Sequence, residues 1–225
     1  MMIRQVRSFV SRNRKLTLNQ KTFLKENLLK YCINFNFSKI NLNFCFGNSY
    51  PVILEIGFGT GQSLVNMAIQ SSRNNFLGIE VYTPSILSCL RYIQNYNLKN
   101  IKIIFHDAVE VMSCMIPDSS LFGVHIFFPD PWFKKRHHKR RMIKKEFLDI
   151  ILSKLMCGGY LHIATDCEMY ADDILNTIKN IEGYINLSDT GDYIVKPSYR
   201  FLTKFEQRGR DLGNKIFDLK FKSIF

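Results

Sequence analysis

The chain has 225 residues, 46% of them hydrophobic, which is enough for one large domain with its own core. Its net charge of +12 is uneven: residues 1–30 hold eight basic side chains and one acid, residues 134–145 hold eight and none, and the remainder is slightly acidic, a distribution that points to a polyanionic partner. Six scattered cysteines without a C-x-x-C pair argue against a zinc or disulfide framework and fit a cytoplasmic protein, and no apolar run is long enough to span a membrane.

Residues 1–30 are polar and basic, with an amphipathic hint from Leu18, Phe23 and Leu28. They are expected to form an arm and a helix ahead of one domain over 31–225. The arm lacks the apolar core of a secretion signal. Its Arg-rich, acid-poor composition also describes an organelle transit peptide, but a polyanion-binding arm uses the same charges better. Strands are predicted over 51–56, 75–80, 101–105, 121–128 and 160–164. Helices are predicted over 62–72, 84–95 (with a proline near its start), 109–115, 142–155 and 168–181. The Gly158-Gly159 pair is read as a turn, and 215–225 alternates as a last strand. Strand and helix alternate with short connections, so the fold is α/β around a mostly parallel sheet.

In such a sheet, ligands bind beyond the carboxyl ends of the strands. Each of the first five strands ends in or beside an acid: Glu55, Glu80, Asp107, Asp130 and Asp166. After the first strand comes Glu55-Ile-Gly57-Phe-Gly59-Thr-Gly61, a G-x-G-x-G turn one residue shorter than the dinucleotide fingerprint. Glu55 would repel a pyrophosphate and attract a ligand bearing an ammonium and a sulfonium, so S-adenosylmethionine is favoured over NAD. Glu80 is placed to accept from ribose hydroxyls, and Asp107 from the adenine amine.

The most informative stretch is Phe127 to Arg141. Asp130 lies between Pro129 and Pro131, which fix φ and stiffen the loop, and beside the only tryptophan, Trp132. A fixed acid next to an aromatic suits a nucleobase, and the basic run that follows suits its phosphates. His137 and His138 are adjacent and have no third ligand at zinc spacing, so no metal is expected. His106 and His162 are expected to be structural. Trp132 is left open between stacking on the base and packing the loop.

These motifs together resemble the bacterial tRNA (guanine-N7-)-methyltransferases. The resemblance runs through Arg7-Ser8-Phe9-Val10, Leu54 to Gly59, Gly78 to Val81, Asp107-Ala108, Phe128 to Trp132, Arg136 to Arg141, Ala164 to Asp166 and Thr203 to Gly209. It implies a Rossmann-like class I methyltransferase fold, with a seven-stranded sheet and an antiparallel last strand. It implies S-adenosylmethionine binding by Glu55, Gly57, Gly59, Gly61, Glu80, Asp107 and Asp130, with Asp130 also at the active site. It implies substrate binding by Lys134, Asp166, Thr203, Lys204, Phe205 and Glu206. Contact with RNA is implied for Arg136, His137, His138, Lys139, Arg140 and Arg141, and the target is a guanine in the tRNA variable loop. Phe133 stands where a polar residue or histidine is common, and Arg210-Asp211 puts an acid in an otherwise neutral or basic spot. The expected form is a monomer, with a homodimer as the alternative. The competing functions are methylation of another RNA and catalytically silent RNA binding.

Guanine N7 carries a lone pair and no proton, so its alkylation needs no general base. What it needs is alignment, exclusion of water and a counter-charge for the purine. Asp130, alone or with Asp166 or Glu206, is expected to accept hydrogen bonds from the guanine N1–H and N2–H₂ edge.

Overall fold

The computed structural model describes residues 7–9 and 15–225. The rest of the basic arm, including Val10, lies outside the described residues. The first helix, α1, runs over Leu18–Tyr31 and starts with a capping box: Thr17 accepts from the Gln20 amide, and the Gln20 side chain accepts from the Thr17 amide. Phe23, Leu24 and Leu28 pack on the body, whereas Leu18 is exposed. The helix passes the boundary expected at residue 30 by one residue, and Cys32 then bridges to Ile103. A short α2, Leu42–Phe46, follows.

The body then alternates. It comprises β1 (Val52–Ile56), α3 (Gln62–Gln70), β2 (Asn75–Glu80), α4 (Thr83–Asn95), β3 (Ile101–Phe105), α5 (Ala108–Cys114), β4 (Leu121–Phe127), α6 (Lys145–Lys154), β5 (Leu155–Thr165), α7 (Glu168–Ile178), β6 (Tyr184–Asn186), α8 (Lys204–Asp211) and β7 (Phe217–Ser223). The sheet order is β3-β2-β1-β4-β5-β7-β6, with β1 to β5 parallel and β7 antiparallel to both neighbours. This is the mostly parallel, seven-stranded sheet expected. All five residues of β1 are buried because helices cover both faces. One core cluster joins the sheet to α2, α5, α6 and α7, and the other joins it to α1, α3 and α4.

The boundaries differ in three places. Gly158-Gly159 is not a turn: β5 begins at Leu155 and carries the pair inside it. Register jumps there from Leu121↔Leu155 to Gly123↔Tyr160, so the surplus residues on β5 form a bulge. A Cβ on Gly159 would lie 2.9 Å from the Met156 carbonyl oxygen and 3.0 Å from that of Leu121, which accounts for glycine. The basic run is a 3-10 helix over Lys135–Arg140, so α6 starts at Lys145 and not at 142. The helix α8 and the edge strand β6 have too little apolar periodicity to be read from sequence. Among the described residues, no helix is long and apolar enough to cross a membrane.

Candidate active site

The sheet reverses direction of travel between β1 and β4, the position at which open α/β sheets bind ligands. A cavity of about 960 Å³ opens there. Its floor is the Gly57–Thr60 turn and the ends of β1, β2 and β4. Its rim is Phe128 to Lys134, Thr203 to Phe205, His137, and Ser8 and Phe9 of the arm. Gly61 closes the turn at φ 80°, a region few residues other than glycine adopt, and a Cβ there would lie 2.5 Å from the Cys89 side chain. The turn and α4 therefore sit against each other.

Of the described residues lining the cavity, the carboxylic acids are Glu55, Glu80 and Asp130. Glu55 is 2% exposed, and its Oε2 has no hydrogen-bond partner among the described residues. Burial, and then the negative charge of Glu80, push its pKa up to about 8. Without ligand, Glu55 is thus a neutral acid that a cation would ionise. Ser63 Oγ, buried in the same wall, is also unpartnered. Glu80 is pinned by backbone: its Oε2 accepts from Gly59 N at 3.0 Å, and its Oε1 from Val81 N at 2.7 Å and Tyr82 N at 3.0 Å. Burial still raises it above its ordinary value, these bonds pulling the other way. Asp107 caps α5, accepting from Val109 N at 2.8 Å. His106 and Ala108 beside it line the cavity, and Asp107 itself does not. His106 bonds Glu110 and stacks on Phe35 with ring centroids 3.7 Å apart.

Asp130 is exposed in the rim. Phe128 and Trp132, two non-glycine residues at φ 54° and 48°, bracket the Pro-Asp-Pro core. Such backbone costs on the order of 1–3 kcal/mol per residue and persists only where surroundings enforce it. Here the Phe128 amide donates to Ala164 O at 2.7 Å, and the Trp132 indole N–H donates to Ser8 O at 3.1 Å. Arg140 lies over the indole at 4.8 Å and His137 meets it edge-on. Trp132 therefore packs the loop and ties the arm to it.

Three of the expected site residues lie outside the cavity lining. Glu206 is 0% exposed and does not reach the cavity. It accepts from Lys196, Arg200 and Arg210, so its carboxylate is used up holding α8. Asp166 is also outside the lining: its Oδ2 accepts from Asn214 at 3.2 Å, and Gly209 of α8 packs directly on it. Arg141 is buried at 6% exposure. It donates to Pro131 O, pairs with Asp173 and covers the Tyr170 ring, so it anchors the run. Lys134, His137, Thr203, Lys204 and Phe205 do line the cavity. Arg136 and Lys139 are exposed, and His138 and Arg140 half-buried. Among the described residues, no group of three or more His, Cys, Asp or Glu could hold a metal ion.

Sequence reasoning missed Arg200. It is 1% exposed and pairs with Glu206 at 2.5 Å and with Asp218 at 2.5 Å. Asp218 also bonds His162 at 2.9 Å, and His162 bonds Tyr199 at 2.9 Å. An arginine in an otherwise unremarkable loop gives no sequence signal for this.

Comparison with known proteins agrees with this geometry. Residues 49–219 match the family model Methyltransf_4, described as "Putative methyltransferase". The chain is 67% identical, over all of its length and 93% of the other's, to a tRNA (guanine-N(7)-)-methyltransferase of Buchnera aphidicola subsp. Baizongia pistaciae. It is 46% identical, over 99% of its length and 93% of the other's, to the protein of that name from Photorhabdus laumondii. Among solved structures, the fold is shared with the 16S rRNA methyltransferase KamB (TM-score 0.59, 13% identity, covering 85% of this chain and 96% of that one). It is also shared with a methyltransferase-like chain of Streptococcus mutans solved with SAH (TM-score 0.52, 11% identity, covering 93% and 99%).

Proposed function

The chain belongs to the tRNA (guanine-N(7)-)-methyltransferase family, and on that premise we propose how the residues of its cavity divide the work. It is an S-adenosylmethionine-dependent enzyme that methylates N7 of a guanine in tRNA. Our reading places that guanine in the variable loop. The observation that carries the site assignment is the pair of buried, unpartnered atoms, Glu55 Oε2 and Ser63 Oγ, in the cavity wall at the glycine turn. Buried polar groups are ordinarily satisfied, and among the described residues these two unpartnered atoms are the ones that line the cavity, where a ligand can reach them.

The cofactor fits this wall. When bound, it supplies a methyl already activated by the sulfonium. Glu55 would ionise against its ammonium, Glu80 would hold its ribose, and Gly57 and Gly59 would let it lie close to the backbone. Asp107, fixed by the α5 cap, would be left to accept from the adenine amine.

The target base must enter from the rim, where Asp130 is the cavity's exposed carboxylate. Guanine N7 has no proton to lose, so Asp130 need not act as a base. It accepts from the N1–H and N2–H₂ edge, which becomes a stronger donor as N7 gains positive charge. The contact therefore tightens in the transition state. Glu206 and Asp166 lie outside the cavity lining and Asp130 lies in it, so we assign this role to Asp130. Lys134 and the exposed basic residues of the 3-10 helix hold phosphate. We read the enzyme as a monomer acting in the cytoplasm, where its substrate is.

The test is incubation with labelled S-adenosylmethionine and unmodified tRNA transcript, followed by cleavage at 7-methylguanine. Label at one variable-loop guanine is expected. Asp130→Asn is expected to lower kcat by about 10²-fold, the scale of losing one aimed hydrogen-bond partner. Near-wild-type turnover in that variant would reduce Asp130 to a loop anchor.

A further inference from the structure

Two large aromatic side chains stand at the cavity mouth with little protein against them. Phe133 is 70% exposed and Phe205 is 60% exposed, and both line the cavity. Among the described residues no other aromatic ring stacks on either. Phe205 lies over the glycine turn, its Cε2 being 3.9 Å from where a Cβ on Gly59 would be. That puts it at the glycine turn. Phe133 stands in the loop of Asp130 and lines the same cavity. The loop is stiffened by two prolines and held at Trp132 by the arm carbonyl and by Arg140, so Phe133 is exposed on a fixed support. Lys134, His137 and Lys204 line the same cavity.

Resting on the functional reading above, we propose that Phe133 is a stacking site for the nucleobase adjacent in the RNA chain to the methylated guanine. A base taken from its stack must have its neighbours held open, and an aromatic face does this for any base. Trp132 is already engaged by Arg140 over one face and by Ser8 and His137 at its edge. Phe133 has a free ring, apolar and uncharged, within a cationic rim that attracts the phosphates on either side of such a base. It is therefore a binding residue for the flanking nucleotide. Asp130 keeps the target.

The experiment compares the full chain with Phe133→Ala, Phe133→Tyr and Lys134→Ala for binding of unmodified tRNA transcript over a range of salt. Phe133→Ala is expected to weaken binding about tenfold at every salt concentration, the scale of one lost stack. The log–log slope should stay unchanged because no charge is removed. Phe133→Tyr should restore affinity, and Lys134→Ala should reduce the slope. In turnover, the Phe133→Ala loss should fall on KM more than on kcat. A transcript carrying 2-aminopurine beside the target guanine should be quenched by the wild type and not by Phe133→Ala. Wild-type affinity in Phe133→Ala, a change of slope, or no rescue by tyrosine would overturn the proposal. Binding needs no turnover, so a wild-type protein that bound tRNA without methylating it would overturn the functional reading and leave this test intact.

Discussion

Glu55 shows how a single residue links burial to binding. Its folded pKa of about 8 exceeds the ordinary glutamate value, so between the two the folded chain holds a proton that the unfolded chain has lost. The sign follows directly. Glu55's contribution is full below the ordinary glutamate pKa and is lost as pH rises through about 8. Without ligand, Glu55→Gln should therefore flatten the fall in melting temperature from pH 5 to 8. Adding a cationic cofactor should reverse the preference and ionise the acid. Calorimetry of S-adenosylmethionine binding in buffers of different ionisation enthalpy should show proton release near pH 7 in the wild type and none in Glu55→Gln. Equal proton counts in both would detach Glu55 from the cofactor's charge. The residue was legible because an acid two positions before a glycine turn repels a pyrophosphate and suits a cationic ligand. The raised pKa was not, because it comes from strands packed over it.

At the scale of elements, the question is what holds α8 against the sheet. The helix is polar and exposed along most of its length, with only Glu206 and Gly209 buried. Apolar burial cannot dock it. A charge cluster does so instead: Arg200 joins Glu206 of α8 to Asp218 of β7, and Lys196 and Arg210 complete the neutralisation. Breaking a buried pair by removing one partner typically costs about 3–5 kcal/mol. Arg200→Met should lower stability on that scale in denaturant melts, and should also raise the KM for tRNA because Thr203, Lys204 and Phe205 lose their support. Loss of activity at unchanged stability would instead place Arg200 in the chemistry. Burial raises the Glu206 and Asp218 carboxyls, but the bonds from Arg200 and its companions outweigh it and hold both below the usual range. The stability they add is present above the ordinary carboxylate pKa and is lost as pH falls through their depressed values. Without Arg200, burial would no longer be outweighed, so stability should fall less steeply with acid in Arg200→Met than in the wild type, from a lower starting value.

For the molecule as a whole, the positive charge is divided between surface and interior. The surface part should govern tRNA affinity through counterion release, at roughly one unit of log–log salt slope per phosphate neutralised. Changing Arg136 and Lys139 together to alanine should reduce the slope by up to about two without altering the melting temperature. Changing Arg141 should do the opposite. It is buried against Asp173 and Tyr170, so its loss should destabilise the fold while the slope of the surviving folded protein stays the same. A shallower slope for Arg141→Met would return that residue to the RNA interface.

Much of this was written in the sequence. Strand and helix periodicity, the acids at strand ends and the Gly57–Gly61 turn depend on near neighbours in the chain, so the α/β sheet and the glycine turn that floors the cavity could be read from the sequence. The Pro-Asp-Pro-Trp block likewise announced its own rigidity. Other features were decided only by tertiary structure. Asp166, Glu206 and Arg141 look like site residues because they are polar and sit in recognisable motifs, yet each is committed to a partner distant in sequence. Trp132 is tied to Ser8 across 124 positions, and Gly158-Gly159 proved a bulge because β4 lies beside it. Local pattern reports what a side chain can do. Which partner it meets depends on how the sheet brings distant segments together, and that tied these charged groups to the fold.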